Sequence, residues 1–409
     1  MLAAKTGTGT PSFWQRDAAD LLPRWPTLDQ APRARVDVLI VGAGLAGCSA
    51  ARELTSQGRS VLIVDAQGPG AGASGRNAGF VMLGNAIDYP AHVHDHGRAR
   101  ARLLVELGRR NHRDIREQFG DRCEHDPCGS LMLAELADPR AQATLDQAAS
   151  LLGEDGVAVE LAPAPAGLVG FANALIVHDD ATVHPGKLLA ALAEGLEGRR
   201  GVVEAIDDRA GLARIEGREL GFVRALICAN AFTRALVPEL EPWLTPQRAQ
   251  VLLTEPCPAL LDRPCYAGWG YDYFRQLADG SLLLGGRRHL FFADEQTGEA
   301  EPSDAVQHAL DEYRATHMPS TLAAKVRQRW AGIMGFSRDG LPLLGPLPGR
   351  ERIEVLAGFT GHGLGMAVAC GRLEARRMLG RSTRDDAGLL ELFDAGRIRP
   401  AEPDDRPRG

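Results

Sequence analysis

The sequence is short of lysine, of aromatic residues and of long apolar runs. Only Lys5, Lys187 and Lys325 carry an ammonium group, so arginine supplies nearly all of the positive charge of the 409 residues. The formal net charge of -7 disfavours nucleic acid as a partner, because there is no basic surplus to neutralise phosphates. No apolar stretch reaches the roughly 20 residues of a membrane helix, and the N-terminus has no signal-peptide core. We therefore expect a cytoplasmic protein without a membrane span.

Cysteine is also scarce and never occurs as a CxxC pair. The seven cysteines are odd in number and scattered, which predicts reduced, mostly buried thiols. The segment HVHDH, from His92 to His96, has residue types that bind metals, but no fourth ligand lies nearby in the sequence. A mobile polar loop and no bound metal are expected there.

Glycine, in contrast, is abundant, and the first glycine-rich loop has the pattern GxGxxG. It lies between an apolar run at 36–41 and a helix of small residues, and Asp65 ends the next predicted strand. In this context the glycines allow close approach of a pyrophosphate, and Asp65 can accept hydrogen bonds from ribose hydroxyls. The motif alone does not distinguish FAD from NAD. The residues expected to bind the cofactor here are Gly42, Gly44, Leu45, Ala46, Gly47 and Asp65.

A second glycine-rich loop, GAGASGRNAGF at 70–80, favours FAD. A simple NAD-binding unit would continue into helix and strand after Asp65, whereas this chain enters another loop rich in backbone N–H donors. A long dinucleotide that reaches a redox ring needs such a loop for its second half. The residues expected to contribute are Ala66, Ala73, Ser74, Arg76, Asn77, Ala78 and Gly79.

Periodicity elsewhere indicates both helices and an antiparallel sheet. Residues 98–119 predict an amphipathic helix, and residues 184–196 predict another. Between Arg248 and Arg288 the pattern is period-two and aromatic, which is typical of an antiparallel sheet. The length favours two domains, with a polar leader at 1–34 and a tail at 381–409.

The two loops and three later segments, FRQLADGSLLLGG, WAGIMGFSRDGLPLLGP and GFTGHGLGMA, resemble the D-amino acid oxidase/glycine oxidase superfamily of FAD-dependent enzymes. The pairing of SGRN with FTGHG is most similar to its gamma-glutamylputrescine oxidase-like branch. The resemblance implies an α/β (α+β) fold, in which a Rossmann-like FAD-binding domain is interleaved with an antiparallel-sheet substrate domain. It assigns 35–82, 182–232 and 331–380 to the FAD domain and 83–181 and 233–330 to the substrate domain. It also implies cofactor contacts at Val203, Ala229 and Asn230.

The segment GHGLG near the C-terminus also has a physical rationale. A glycine-rich turn that opens a helix presents unpaired N–H groups, which can stabilise negative charge on a reduced flavin. His362 either takes part in catalysis or only caps the helix. The predicted cofactor contacts are Gly361, Gly363, Leu364 and Gly365.

Departures from the resembling enzymes bear on the substrate. Amino acid oxidases of this type hold the substrate carboxylate with arginines, where this chain has Met334 and, approximately, Gly361. A larger amine or an N-substituted amino acid is therefore expected. Leu283 stands where sarcosine-type oxidases have a lysine used in oxygen activation, so either oxygen or another electron acceptor is possible.

The candidate catalytic residues are His362, Arg248, Arg287 and Tyr273. Two further questions stay open. Arg287-Arg288-His289 is either an anionic-substrate clamp or a solvated strand end, and Tyr271, Tyr273 and Trp330 either line an amine pocket or belong to the core. We expect oxidation of a C–N bond by hydride transfer to flavin N5, giving an imine that hydrolyses. The alternatives are an FAD-linked 2-hydroxy acid dehydrogenase and a flavin-binding subunit without turnover.

Overall fold

The computed structural model describes residues 9–28, 34–84 and 88–398. The helices in these ranges are α1 (Phe13–Asp17), α2 (Leu45–Ser56), α3 (Tyr89–His96), α4 (Arg98–Phe119), α5 (Pro139–Glu154), α6 (Pro185–Ala193), α7 (Thr233–Leu236), α8 (Phe292–Glu295), α9 (Asp304–His317), α10 (Ala367–Met378) and α11 (Arg384–Phe393).

The strands in the same ranges are β1 (Arg35–Val41), β2 (Val61–Asp65), β3 (Phe80–Val81), β4 (Ser130–Glu135), β5 (Val159–Pro163), β6 (Phe171–Val177), β7 (Ala181–Thr182), β8 (Gly198–Arg200), β9 (Val203–Asp207), β10 (Leu212–Ile215), β11 (Arg218–Ile227), β12 (Leu244–Pro256), β13 (Cys265–Ala267), β14 (Asp272–Gln276), β15 (Ser281–Gly285), β16 (Val326–Ser337), β17 (Leu343–Pro346) and β18 (Ile353–Ala357).

The first sheet contains the predicted nucleotide-binding strands. Its order is β17-β18-β11-β1-β2-β8, and β9 and β10 extend it from β11. β1 pairs in parallel with β2 and β11, and its residues after Val36 are almost all buried, as expected for a parallel strand covered on both faces. The predicted helices at 98–119 and 184–196 are confirmed as α4 and α6.

The second sheet is mainly antiparallel and has the order β16-β12-β15-β14-β13-β4-β6-β5. Because side chains alternate along a strand, Tyr266 and Tyr273 share one face, while Cys265 and Phe274 point to the other. The Phe274 face packs on α9, and the Tyr273 face is turned toward the first sheet's loops. The expected fold class, with a nucleotide-binding sheet interleaved with an antiparallel one, is confirmed. The domain boundaries stay a prediction, and β16 carries residues up to Ser337 into the second sheet.

Three segments expected to be loop or tail are ordered instead. In the predicted leader, Trp14 is buried and its Nε1–H donates to the carbonyl of Asn77 at 2.6 Å. In the predicted tail, α11 buries Leu389 and Phe393, so this part of the chain packs against the rest of the protein. The HVHDH segment lies in α3 rather than in a mobile loop.

Three observations on the described residues bear on metal binding, membrane insertion and the state of the cysteines. No group of three or more His, Cys, Asp or Glu residues among them is arranged to hold a metal ion. No helix in the described ranges combines the length and apolar character needed to cross a membrane. All seven cysteines are free thiols and most are buried, as the sequence predicts.

Helix α10 lies directly against α2, and this contact depends on a glycine. A Cβ atom on Gly371 would lie 2.5 Å from the carbonyl oxygen of Ala46 and 2.8 Å from Cβ of Ser49. The hydroxyl of Ser49 donates to the carbonyl of Val368 at 2.7 Å across the same interface. The close approach fixes α2, and with it the glycine-rich loop that begins the helix.

The substitution Gly371→Val tests this packing. We expect it to lower the free energy of unfolding by about 1–3 kcal/mol, because the added side chain must push α10 away from α2. Chemical denaturation of the purified variant measures the change. Gly153→Val is the matched control, because a Cβ there would meet only Cγ2 of Val159, at 3.8 Å. Equal stability losses in the two variants would contradict the close approach.

Candidate active site

A cavity of about 350 Å³ is lined by both glycine-rich loops and by the C-terminal glycine-rich turn. Of the predicted cofactor-binding residues, it brings together Gly42, Gly44, Leu45, Ala46, Asp65, Ala66, Ala73, Ser74, Arg76, Asn77, Ala78, Val203, Ala229, Asn230, Gly361, Gly363, Leu364 and Gly365. Gly47 and Gly79 are not part of the lining. They lie behind it, where a Cβ would strike the carbonyl oxygens of Gly42 and Val183, respectively.

The first loop turns sharply between β1 and α2. Gly42 has φ +110°, and a Cβ there would lie 2.5 Å from the carbonyl oxygen of Cys228. Gly44 precedes α2, and the N–H of Leu45 donates to Oγ of Ser74 at 3.1 Å, which ties the two loops together. The N-terminal end of α2 therefore lies at the cavity wall, where amide groups and the helix dipole favour an anion.

The carboxylate of Asp65 has a structural role as well as a place in the lining. It accepts hydrogen bonds from the backbone N–H groups of Ala43 at 2.9 Å, Gln67 at 2.9 Å and Gly68 at 2.8 Å. These bonds hold the end of β2 beside the first loop. Ribose binding by Asp65 stays a prediction.

Arg76, predicted to contact the cofactor, lines the cavity, but its guanidinium is already occupied. It donates to the carbonyl oxygens of Ala71 at 2.8 Å, Ala331 at 2.9 Å and Thr10 at 3.0 Å. A guanidinium used in this way anchors the loop to the N-terminal segment and to β16 rather than binding a phosphate. Asn77 similarly supports the turn, since it donates to the carbonyl of Ser74 and accepts from the N–H of Gly79.

The C-terminal turn that follows β18 is conformationally strained. Thr360 has φ +49° and Gly361 has φ +85°, and the N–H of Thr360 donates to the carbonyl of Gly335 at 2.9 Å. Left-handed backbone at a non-glycine residue is uncommon and concentrates at functional sites. A Cβ on Gly361 would lie 3.5 Å from Sδ of Met334, so the two positions that lack the expected arginines are neighbours.

His362 lies in this turn with its Nδ1 atom buried and without a hydrogen-bond partner among the described residues. Its ring stacks on Tyr266, with centroids 5.9 Å apart and an interplanar angle of 23°. Burial lowers the pKa of His362 to about 4, so the ring is neutral near pH 7. The side chain makes no capping hydrogen bond, which removes the alternative that it only caps the helix.

Three aromatic rings form one wall of the cavity. Phe80 packs edge-on against Tyr266 at 5.3 Å and Tyr273 at 6.3 Å, and the two tyrosines are cross-strand partners on β13 and β14. Burial raises the pKa of both phenols, so they stay protonated. Tyr273 was predicted, whereas Tyr266 and Phe80 were missed because the strand register that pairs them is not visible in the sequence.

The other predicted pocket residues are elsewhere. Trp330 is fully buried in the core, where its Nε1–H donates to the carbonyl of Arg76 at 2.9 Å. Tyr271 is not in the cavity lining. The core interpretation is therefore correct for Trp330 but not for Tyr273.

Two of the four predicted catalytic residues are engaged in ion pairs outside the cavity. Arg248 binds the buried carboxylate of Glu295 through two nitrogens, at 2.6 and 3.0 Å. Arg287 donates to the carboxylate of Asp272 at 3.0 Å. Removing a guanidinium from such a pair would leave a buried charge uncompensated, so both arginines are structural. We therefore correct the prediction of a catalytic role for Arg248 and Arg287.

Arg288, which the sequence did not single out from its neighbours, is different. Its guanidinium lies 4.6 Å from the ring centroid of Phe336 and 4.8 Å from that of Tyr271, and within the described residues it forms no ion pair. Phe336 in turn borders the position of Gly361, at 3.8 Å from a Cβ built there. Arg287 has a left-handed backbone, with φ +60°, so the alternation of side chains along the strand ends there. Alternation alone therefore does not predict the direction of the Arg288 side chain.

Comparison with known proteins identifies several relatives. A family model described as "FAD dependent oxidoreductase" (DAO) matches residues 37–377. Gamma-glutamylputrescine oxidoreductase of Escherichia coli K12 is 26% identical over 92% of this chain and 91% of that protein. Glycine oxidase of Pseudomonas aeruginosa is 26% identical over 84% of this chain and 95% of that protein. The crystal structure of glycine oxidase from Geobacillus kaustophilus superposes with a TM-score of 0.77 at 21% identity, covering 90% of this chain and 100% of that chain.

The substitution Gly44→Val tests the position of the cofactor. A Cβ at Gly44 would lie 2.9 Å from Oγ of Ser74, and a larger side chain would fill the cavity at the start of α2. We expect the purified variant to lose its bound FAD, as measured by the ratio of flavin to protein absorbance. Gly120→Val is the control, because a Cβ there would have only Cβ of His125 nearby, at 3.9 Å. Full flavin occupancy in Gly44→Val would rule out this placement.

Proposed function

The chain belongs to the DAO family of FAD-dependent oxidoreductases, and we propose that its substrate is an amine whose acid group lies several bonds from the reacting carbon. The enzyme acts on CH–NH or CH–NH₂ donors, as its relatives do. The observation that carries the proposal is Arg288, which forms no ion pair among the described residues and lies over the ring of Phe336, a neighbour of Gly361, while the positions of the expected arginines hold Met334 and Gly361.

The residues of the cavity fit FAD. Gly42 and Gly44 stand at loop positions where a Cβ would come within 3 Å of neighbouring atoms. The lining of the cavity extends from Val203 and Glu204 to the turn at 361–365. Gly42 to Ala46 at the start of α2 would hold the diphosphate, and the N–H groups of the C-terminal turn would face the redox ring. When bound, the flavin supplies a hydride acceptor for the carbon next to the substrate nitrogen.

The chain itself binds, orients and excludes water. Phe80, Tyr266 and Tyr273 form an apolar wall against which the amine lies beside the ring. Since His362 has a pKa near 4, it is a poor base for an ammonium group, and the substrate therefore binds as the neutral amine. Loss of hydride leaves an iminium ion that loses a proton to water and is then hydrolysed.

Arg288 gives the site its preference for an acid group. A carboxylate taken from water into a protein loses several kcal/mol of hydration, by rough estimates, unless a cation replaces the water. Burial lowers the pKa of Arg288, and the carboxylate of Glu295, which opposes this shift, is itself paired with Arg248. We expect a distal carboxylate, such as that of a gamma-glutamyl amine, to pair with Arg288 beside the ring of Phe336. The alpha-carboxylate of D-alanine would instead lie beside Met334 and Gly361.

The electron acceptor follows from the charges around the cavity. Leu283 is fully buried among Leu253 and Trp330, and Arg76 is the only lysine or arginine of the described residues that lines the cavity. Because four backbone carbonyls occupy Arg76, no cation among the described lining residues is free to stabilise superoxide, and Arg288 lies outside the lining. We propose an acceptor other than oxygen.

The free thiols of all seven cysteines support a reducing compartment, the cytoplasm.

The substitution Arg288→Met tests the substrate assignment. For a gamma-glutamyl diamine we expect kcat/KM to fall by about 10- to 100-fold, because a charge-assisted hydrogen bond is lost. For the same amine without the carboxylate, kcat/KM should change by less than about twofold. Anaerobic bleaching of the flavin, followed by stopped flow, gives both values.

Arg288→Lys serves as the conservative control, and it should recover part of the lost efficiency because it keeps the charge. D-alanine and N-methylglycine should be poor substrates of the unmodified enzyme. Equal losses with the acid and its uncharged analogue would contradict a role in acid recognition. A clear preference for D-alanine would refute the proposed substrate class.

The reduced enzyme provides a test of the acceptor. After anaerobic reduction and mixing with aerated buffer, we expect reoxidation to be about 10²-fold slower than in oxidases that carry a cation beside the flavin. An artificial acceptor such as a quinone should reoxidise it without this delay. The control is Leu283→Met, which keeps the apolar volume and should leave both rates unchanged. Rapid reaction of the unmodified enzyme with oxygen would exclude the electrostatic argument.

A further inference from the structure

A second cavity, of about 130 Å³, adjoins the first. Met82, Tyr266 and His362 line both cavities and so form the wall between them. The second cavity lies on the same face of the second sheet as the tyrosines, where α4 and α5 cover β4 and β6. A group that passes these three side chains would leave the flavin side and enter the space below the helices.

The lining of the second cavity is almost entirely apolar. Its apolar lining residues include Leu104, Val105, Met132, Leu145, Ala148 and Leu152. An engineered apolar cavity of roughly 150 Å³ in another protein stays dry and binds benzene, so this one has room for a six-membered ring or a branched alkyl group. Water gains little in such a space because it finds few hydrogen-bond partners.

The polar groups of the lining favour an uncharged occupant. No lysine or arginine of the described residues lines the cavity, so an acid would have no counter-ion. Asp180 accepts hydrogen bonds from the hydroxyl of Ser130 at 2.6 Å and from the N–H of Leu83 at 2.8 Å, and burial raises its pKa to about 7. A carboxyl group that is already paired and partly protonated is a weak partner for an ammonium ion. Asp88, the other acidic residue of the lining, is engaged as the N-cap of α3 and accepts from the N–H of Ala91 at 2.8 Å.

His92 and His362 are the lining residues whose buried ring nitrogens lack a hydrogen-bond partner among the described residues, and His92 lacks one at both nitrogens. It is 1% exposed, it lines the cavity, and neither ring nitrogen has a hydrogen-bond partner among the described residues. A buried polar group without a partner is costly, and a ligand that supplies the missing hydrogen bond recovers that cost. The ring can both donate and accept, so it suits a hydroxyl group.

We propose that the second cavity holds an uncharged aryl arm of the amine substrate, with His92 as the hydrogen-bond partner of a hydroxyl on that ring. The inference rests on the proposed function in one respect: the reacting C–N bond lies in the first cavity, beside Tyr266 and His362. The substrate then has two arms, an acid arm toward Arg288 and an aryl arm below α5.

Binding of a small probe to the flavin-loaded enzyme tests the cavity without turnover. We expect p-cresol at millimolar concentration to raise the thermal midpoint by a few degrees, and toluene to raise it less. Ala141→Phe, at a half-buried position in the lining, should abolish both shifts by filling the space. Ala143→Phe, two residues along the same helix and exposed, is the matched control and should keep them.

His92→Leu should retain the toluene shift and lose the additional shift of p-cresol. If Ala141→Phe does not fold, Thr144→Phe at another half-buried lining position takes its place. Absence of any probe binding to the unmodified enzyme, or equal binding to Ala141→Phe, would overturn the inference.

Turnover separates this inference from the proposed function. The ratio of kcat/KM for N-methyl-2-phenylethylamine to that for N-methylpropylamine should fall by about tenfold or more in Ala141→Phe and stay unchanged in Ala143→Phe. An unchanged ratio in both variants would reject the aryl arm even if both amines reduce the flavin. If the probes bind but no amine reduces the flavin, the inference of a binding cavity stands and the proposed function is refuted.

Discussion

The architecture depends on backbone contacts that only glycine permits around the start of α2. Gly42 brings the first loop against the carbonyl of Cys228, and Gly371 brings α10 against Ala46. Because α2 is held from both sides, its N-terminal amides have a fixed position relative to the turn at Asn230. A third contact continues the series: a Cβ on Gly335 would lie 2.6 Å from Oδ1 of Asn230, so the second sheet approaches the same point. One end of the cavity is thus defined by main-chain atoms rather than by mobile side chains.

Most of the buried positive charge stabilises the protein rather than the reaction. Arg76 and Arg275 donate to backbone carbonyls, whereas Arg248 and Arg287 pair with buried carboxylates. A guanidinium can enter a protein interior only with such partners, and each partner removes it from contact with a ligand. Arg288 differs from these arginines because it lies against aromatic rings and forms no ion pair among the described residues. The left-handed residue just before it, Arg287, ends the regular strand alternation. An abundance of arginine therefore says little about anion binding until the partners are known.

The sequence predicted the parts of the site that depend on local spacing. The two glycine-rich loops, Asp65 and the C-terminal turn lie in the lining as expected, because a turn between a strand and a helix is specified by adjacent residues. It did not predict Tyr266 or Arg288, because strand register and ion-pair partners join residues far apart in the chain. The same limit explains α11, where burial of Leu389 and Phe393 in contact with distant elements outweighs the charged residues around them. Local patterns identified residues that line one cavity, and only tertiary packing shows which charged side chains are paired.

The wall between the two cavities is built from Met82, Tyr266 and His362, while the glycine-rich loops of the first cavity are held by close contacts with backbone atoms. Side chains in a wall can be exchanged without moving the strands and turns that carry them. Substrate range in this chain can therefore diverge independently of flavin binding. After gene duplication, one or two substitutions in this wall could enlarge or reduce the space for the amine substrate without changing the glycine-rich loops.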